Sequence, residues 1–151
     1  MSAVAFVDSN ILIYAHDRDA GVKRERAMAK LRELWECRTG RLSVQVLEEF
    51  YVNATQRLAT PIARSTAREV IQTYGVWVRH ATTVETVTRA TELADLARIS
   101  FWHALIVASA EQSAAEELLS EDLSDGQAIA SIKVVNPLQP GHGVNDGENR
   151  R

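Results

Sequence analysis

Residues 4–14 read VAFVDSNILIY, and this stretch sets the expected fold. Its first four residues, Val4–Val7, are apolar and include two β-branched valines, which is typical of a buried parallel strand. The strand ends at Asp8, and either Ser9 or Asn10 can cap a helix over Ile11–His16. The stretch therefore predicts a strand that turns directly into a helix, with an acidic residue at the junction.

The same alternation of short apolar runs and amphipathic helices continues along the chain, which predicts an α/β fold with a mainly parallel sheet. The expected helices are Lys23–Arg38 (apolar face Ala27, Met28, Leu31, Leu34, Trp35), Val44–Leu58 with Ser43 at its N-cap, a helix marked by Ala63, Ala67, Val70, Ile71 and Tyr74, residues 84–98, and Phe101–Gln112 capped by Ser100. The expected strands are Arg41–Ser43, Val76–Val78, one beginning at Leu118, and Ile132–Val135.

Length and composition favour one domain over residues 1–138, followed by a disordered tail over 139–151 that has almost nothing to bury. No apolar run approaches the ~20 residues that cross a bilayer, so no membrane association is expected. The start of the chain lacks the basic region of a signal peptide. The single cysteine, Cys37, cannot form an internal disulfide, which makes the cytoplasm the expected location.

Charge is unevenly distributed along the chain. Residues 1–81 hold 12 basic and 9 acidic side chains, whereas residues 82–151 hold 5 and 11, for a net charge of −3. Basic residues crowd two predicted helices, where they are either solvated helix faces or RNA contacts. The first group is Lys23, Arg24, Arg26, Lys30 and Arg32, and the second is Arg64 and Arg68.

Acidic residues follow two of the predicted strands, at the edge of a parallel sheet where ligands bind. Asp8 ends the first strand, and Glu121, Asp122 and Asp125 come after the strand at Leu118. Each acid alone is as readily a helix cap or a turn residue. If they meet, their mutual repulsion requires a cation, and an oxygen-rich site suits Mg²⁺ or Mn²⁺.

Four segments, in this order and at these separations, resemble the PIN domain family, and within it the VapC toxin ribonucleases of toxin–antitoxin pairs. The segments are FVDSNILIY (6–14), SVQVLEEFY (43–51), SFWHALIVASA (100–110) and LSEDLSDG (119–126). The resemblance spans residues 4–137 and implies a three-layer α/β/α sandwich that cuts RNA with Mg²⁺ or Mn²⁺. It also implies a homodimer and a small antitoxin partner.

The resemblance places the family acids at Asp8, Glu49 and Asp122, which would both bind metal and carry catalysis. Helical periodicity does not separate Glu48 from Glu49, but the Glu-Phe-Tyr ending favours Glu49. Supporting roles fall to four further residues: Asn10, Ser43, Ser120 and Asp125.

The third segment departs from the family pattern, because His103 stands where similar sequences usually carry aspartate. His103 is then a further metal ligand, and its nitrogen suits Mn²⁺ better than Mg²⁺. Protonated, it could instead pair with Asp8 or Asp122 and replace the charge of the metal. The alternative function is therefore a weakened or inactive PIN-like module that binds RNA or antitoxin without cleavage.

Overall fold

The computed structural model describes residues 3–140, and a five-stranded sheet forms their centre. The strands are β1 (Ala5–Val7), β2 (Gly40–Arg41), β3 (Glu117–Leu119), β4 (Ala128–Ile129) and β5 (Ile132–Val135). Their spatial order is β2-β1-β3-β5-β4, and the first three pairings are parallel while β4 runs antiparallel to β5. The expected mainly parallel α/β fold is confirmed.

Helices cover both faces of this sheet. Successive residues of a strand point to opposite faces, and Phe6 and Val7 are both fully buried. The helices are α1 (Ser9–Ala15), α2 (Val22–Cys37), α3 (Val44–Gln56), α4 (Arg64–Tyr74), α5 (Val84–Ala97) and α6 (Phe101–Gln112). Helix α1 contacts α2 and α3, α3 contacts α4, and α5 packs on α6, which touches β3 and β5.

Helix α6 is the buried helix that its composition predicts. Its residues Ala104–Ala110 are buried without interruption, so apolar side chains meet protein on all sides. Within residues 3–140, no single helix is long and apolar enough to cross a membrane; α5 and α6 reach that threshold only when taken together, and the pair is bent by 116°.

The predicted cap of α1 is wrong by one residue or two. Asp8, rather than Ser9 or Asn10, is the N-cap: its backbone is extended, and its Oδ1 accepts a hydrogen bond of 2.7 Å from the backbone N–H of Ser9. Strand β1 thus passes into α1 without a connecting loop, because the acid that ends the strand also starts the helix.

The edges of the sheet also differ from expectation. The stretch predicted as strand Val76–Val78 is instead a short 3-10 helix, Gly75–Trp77, with one parallel bridge between Val78 and Leu42. The strand predicted at Arg41–Ser43 is instead β2, Gly40–Arg41, and β4 was not predicted, because two-residue strands carry too few residues to show a periodicity. The tail predicted from residue 139 lies outside the described residues except for Gln139 and Pro140.

Candidate metal centre

The carboxyl ends of β1 and β3 bring Asp8 and Ser120 together. The ladder between the two strands extends one residue further, because the backbone N–H of Asp8 donates to the Leu119 carbonyl at 3.0 Å. The Ser120 hydroxyl then donates to Asp8 Oδ2 at 2.8 Å, and both side chains are buried. Adjacent parallel strands therefore position the first acid of the site by backbone pairing.

The position of Asp8 disfavours the charged form of its carboxyl group. Burial raises the pKa of its carboxyl group and outweighs the hydrogen bonds from Ser120 and Ser9, which lower it; the charge of Asp122 raises it further. Only 3% of the residue is exposed to solvent. A cation bound nearby would therefore stabilise the charged form of this buried carboxylate.

Asn10 connects Asp8 to Asp122. Its side-chain nitrogen lies 3.1 Å from Asp122 Oδ2, 3.3 Å from Ser120 Oγ and 3.4 Å from Asp8 Oδ2, so it donates into the space between the acids. Its Oδ1 accepts from the backbone N–H of Glu121 at 3.2 Å. The amide thus fixes the loop after β3 and offsets part of the repulsion between the two acids.

His103 faces the same space from the first turn of α6. Its Nε2 lies 3.6 Å from Asp122 Oδ2, and its Nδ1 is 2.9 Å from the hydroxyl of Ser100, the N-cap of α6. One ligand atom each from Asp8, His103 and Asp122 lie within 4.8 Å of one another. This spacing permits one ion to contact all three side chains.

Glu49 approaches the centre from α3. Burial, followed by the negative charge of Asp8, raises the pKa of Glu49 to about 7. Its Oε1 is buried and has no hydrogen-bond partner among residues 3–140. An oxygen that is buried without a partner is costly unless something binds it.

The donor set fits a divalent cation. The carboxylates of Asp8 and Asp122 and the imidazole of His103 surround one space, and the carboxylate of Glu49, whose Oε1 has no partner within residues 3–140, approaches it from α3. Oxygen-only sites suit Mg²⁺, whereas a mixed oxygen and nitrogen site suits Mn²⁺ better. The residues therefore fit Mn²⁺ without any change in the fold.

Two of the predicted supporting residues, Asp125 and Ser43, are not part of the group formed by Asp8, His103 and Asp122. Asp125 accepts a hydrogen bond from the backbone N–H of Asn136 at 2.9 Å, so it holds the turn before β4. Ser43 occupies the N-cap position of α3, but its buried hydroxyl makes no capping bond and has no partner within the described range.

The basic residues proposed for RNA binding have different surroundings. Lys23 forms an ion pair of 2.7 Å with Glu121, so its charge is already partly matched. Arg24, Arg64 and Arg68 are exposed on α2 and α4.

Sequence reasoning missed the contacts that support the centre. Glu121 accepts from Tyr14 Oη at 2.7 Å as well as from Lys23, and these two bonds outweigh burial and lower its pKa. Gln45, one turn before Glu49, donates to the backbone oxygen of Trp102 at 3.3 Å and joins α3 to α6. No spacing rule links these residues; only the i and i+4 relation of Gln45 and Glu49 was visible in the sequence.

No protein-family model and no curated protein sequence matches this chain. Among solved structures, the chain is similar to VapC20 of Mycobacterium tuberculosis, which is described as a toxin that cleaves the sarcin-ricin loop. The match covers 85% of this chain and 98% of VapC20, with a TM-score of 0.55 and 18% sequence identity. The similarity shows that the fold is a mixed α/β arrangement like the PIN fold of VapC proteins.

Proposed function

We propose that this chain is a metal-dependent endoribonuclease of the PIN type, acting as the toxin of a toxin–antitoxin pair. One observation carries the proposal: ligand atoms of Asp8, His103 and Asp122, from three separate elements, lie within 4.8 Å of one another at the carboxyl edge of the sheet. Glu49, with its raised pKa and its unpartnered oxygen, adds a fourth donor nearby.

Each side chain has a defined part in this proposal. Asp8 and Asp122 hold the cation, Glu49 supplies a further carboxylate, and His103 adds a nitrogen ligand. Asn10 and Ser120 orient the two acids through their hydrogen bonds. Mn²⁺ or Mg²⁺ bound there would activate water and neutralise charge on the scissile phosphate.

RNA is the proposed substrate, and the fold similarity to a toxin that cuts an RNA loop supports a loop as its target. A small antitoxin and a second copy of the chain are the proposed protein partners. The second half of the sequence carries 11 acidic and 5 basic residues, which suits a basic antitoxin segment.

A second candidate function rests on His103. Its Nε2 lies 3.6 Å from Asp122 Oδ2, so a protonated imidazole would balance the acids without metal. The chain would then bind RNA or antitoxin and not cleave. This function predicts no RNA cleavage with Mn²⁺ or Mg²⁺ and no added loss in Asp8→Ala.

Cleavage of a synthetic hairpin containing the sarcin-ricin loop, with Mn²⁺, Mg²⁺ or EDTA, separates the two functions. The nuclease proposal predicts cleavage with metal, loss of at least about 100-fold in Asp8→Asn and in Glu49→Gln, and unchanged cleavage in Glu48→Gln. Glu48 is the matched control because it is the exposed neighbour of Glu49 on the same helix.

Calorimetric titration of Mn²⁺ supplies a readout that does not depend on the choice of RNA. Asp8→Asn should weaken Mn²⁺ binding about tenfold or more, because it removes a buried charged ligand. Absence of cleavage together with absence of Mn²⁺ binding in the unaltered protein would overturn the nuclease proposal and favour the binding module.

A further inference from the structure

A pocket of about 270 Å³ lies at the outer edge of β2 and shares no lining residue with the acidic centre. Arginine and aromatic side chains dominate its wall. The lining residues are Trp35, Arg38, Arg41, Val76, Trp77 and Arg79. We call this site the arginine pocket.

The three arginines of this pocket are not matched by an acid among its lining residues. No carboxylate lines the pocket, and within residues 3–140 none of the observed ion pairs involves Arg38, Arg41 or Arg79. Arg41 Nη1 donates instead to the Gly40 carbonyl oxygen at 2.8 Å. Burial, followed by the positive charge of Arg79, lowers the pKa of Arg41. Like charges held together in this way attract an anion.

An aromatic surface adjoins these charges. Trp35 is 45% exposed, although its position on the apolar face of α2 predicts burial. Its ring centroid lies 5.8 Å from that of Trp77, which is itself buried, and 6.0 Å from that of Tyr74. The indole of Trp35 thus packs on Trp77 and Tyr74 on its inner side and is open to solvent on its outer side. Aromatic side chains that stack on nucleobases are exposed in the same way.

We propose that the arginine pocket is a second RNA subsite, in which guanidinium groups bind a backbone phosphate while an unpaired base stacks on Trp35. This inference rests on the proposed ribonuclease function and adds to it a site that positions the RNA strand. Arginine forks bind phosphate with two hydrogen bonds, and an adjacent indole accepts any base.

The backbone of one lining residue of the pocket lies close to that of the first acid of the centre, so one strand of RNA could contact both sites. In the parallel pairing, Arg41 lies opposite Phe6, two residues before Asp8. The backbones of Arg41 and Asp8 are therefore separated by about 7 Å along the strands and about 5 Å between them. A base held at the pocket would fix which nucleotide of a loop enters the centre.

RNA is favoured over an acidic peptide because the pocket combines charge with an exposed ring. A carboxylate-rich peptide would use the arginines and gain little from Trp35. A single-stranded nucleic acid uses both features at once. The contribution of Trp35 to binding therefore distinguishes the two ligands.

Binding of a fluorescein-labelled ten-nucleotide oligoadenylate in EDTA tests this subsite without any cleavage. Arg38→Glu with Arg79→Glu should weaken binding and reduce the slope of log affinity against log salt by about 1.4, as expected for two lost phosphate contacts on a single strand. The matched control is Arg57→Glu with Arg98→Glu. It makes the same change of charge, and Arg98 ends α5 in the same left-handed conformation with which Arg38 ends α2.

The aromatic contribution is tested separately with Trp35→Ala and Trp35→Phe. Alanine should weaken oligoadenylate binding about tenfold, whereas phenylalanine should restore most of it because the stacking face remains. An oligomer of the same length without bases should bind the unaltered protein no better than it binds the alanine variant. Melting temperatures of both variants check that α2 remains packed.

The subsite is refuted if the control pair weakens binding as much as the pocket pair, or if Trp35→Ala binds as tightly as the unaltered protein. It is also refuted if polyglutamate displaces the RNA equally well from the Trp35→Ala variant and the unaltered protein. These results stand apart from the nuclease test: loss of binding at the pocket leaves metal-dependent cleavage measurable, and a protein without cleavage still reports on RNA binding in EDTA.

Discussion

A single side chain, His103, is expected to set which metal the candidate centre favours. It contributes the one nitrogen among the grouped ligand atoms, and its Nδ1 is held by the hydroxyl of Ser100 at 2.9 Å. Replacing the imidazole by a carboxylate would make the donor set all-oxygen and add one negative charge. Both changes favour Mg²⁺.

His103→Asp is therefore expected to tighten Mg²⁺ binding about tenfold and to narrow the preference for Mn²⁺, as measured by calorimetric titration of each ion. His80→Asp is the control, because His80 is exposed and the substitution changes charge by the same amount elsewhere. Equal Mg²⁺ affinity in His103→Asp and the unaltered protein would place His103 outside the coordination sphere.

The sequence indicated some of these residues and not others, for physical reasons. The location of Asp8 was predictable, because an acid that follows a short apolar strand lies at the carboxyl edge of a parallel sheet. The orientation of His103 was predictable only through the family resemblance, since a histidine on an apolar helix is usually a core residue. The ion pair of Lys23 with Glu121 depends on how α2 approaches the loop after β3, which no local pattern records.

At the scale of elements, long helices were predictable and short edge elements were not. Helix α6 has the expected bounds because twelve residues give more than three turns of periodicity. Val76–Val78 alternates like a strand, yet it forms a 3-10 helix that places Trp77 over Gly40. That packing depends on tertiary contact across the edge of the sheet.

The packing of Trp77 on β2 requires glycine at position 40. A Cβ added there would lie 2.6 Å from the Trp77 ring, so alanine cannot fit unless the ring shifts. We expect Gly40→Ala to reduce the free energy of unfolding by about 1–3 kcal/mol, as overpacking does, measured by urea denaturation. Gly75→Ala is the control: its Cβ would meet nothing within 4 Å, and it should change stability by less than about 1 kcal/mol. Equal effects of the two substitutions would contradict the close packing of Trp77 on β2.

At the scale of the whole molecule, the acidic centre opposes folding at neutral pH. Burial raises the pKa of both Asp8 and Glu49 in the folded chain, in the latter case to about 7. The folded state thus binds more protons than the unfolded state between the ordinary carboxyl range and pH 7. By linkage, the contribution of these two groups to stability is fully present below that range and is lost as the pH rises towards 7. A bound cation would reverse this effect, because it would favour the charged form of the same carboxylates.

We therefore expect the melting temperature without metal to fall between pH 5 and pH 8, and added Mn²⁺ to raise it more at pH 8 than at pH 5. Glu49→Gln should flatten the fall, with a gain at pH 8 of about 1 kcal/mol once solvent screening of this half-buried group is allowed for. That gain corresponds to roughly 2–4 °C in a domain of this size. Glu48→Gln should leave the pH profile unchanged. If Glu49→Gln and Glu48→Gln give the same pH profile, the charges of the centre do not raise the pKa of Glu49. Glu49 would then not belong to the proposed metal site. The centre would then hold its metal through Asp8, Asp122 and His103 alone. Its affinity for the metal would be low, because Asp8 would be the only buried carboxylate among the ligands.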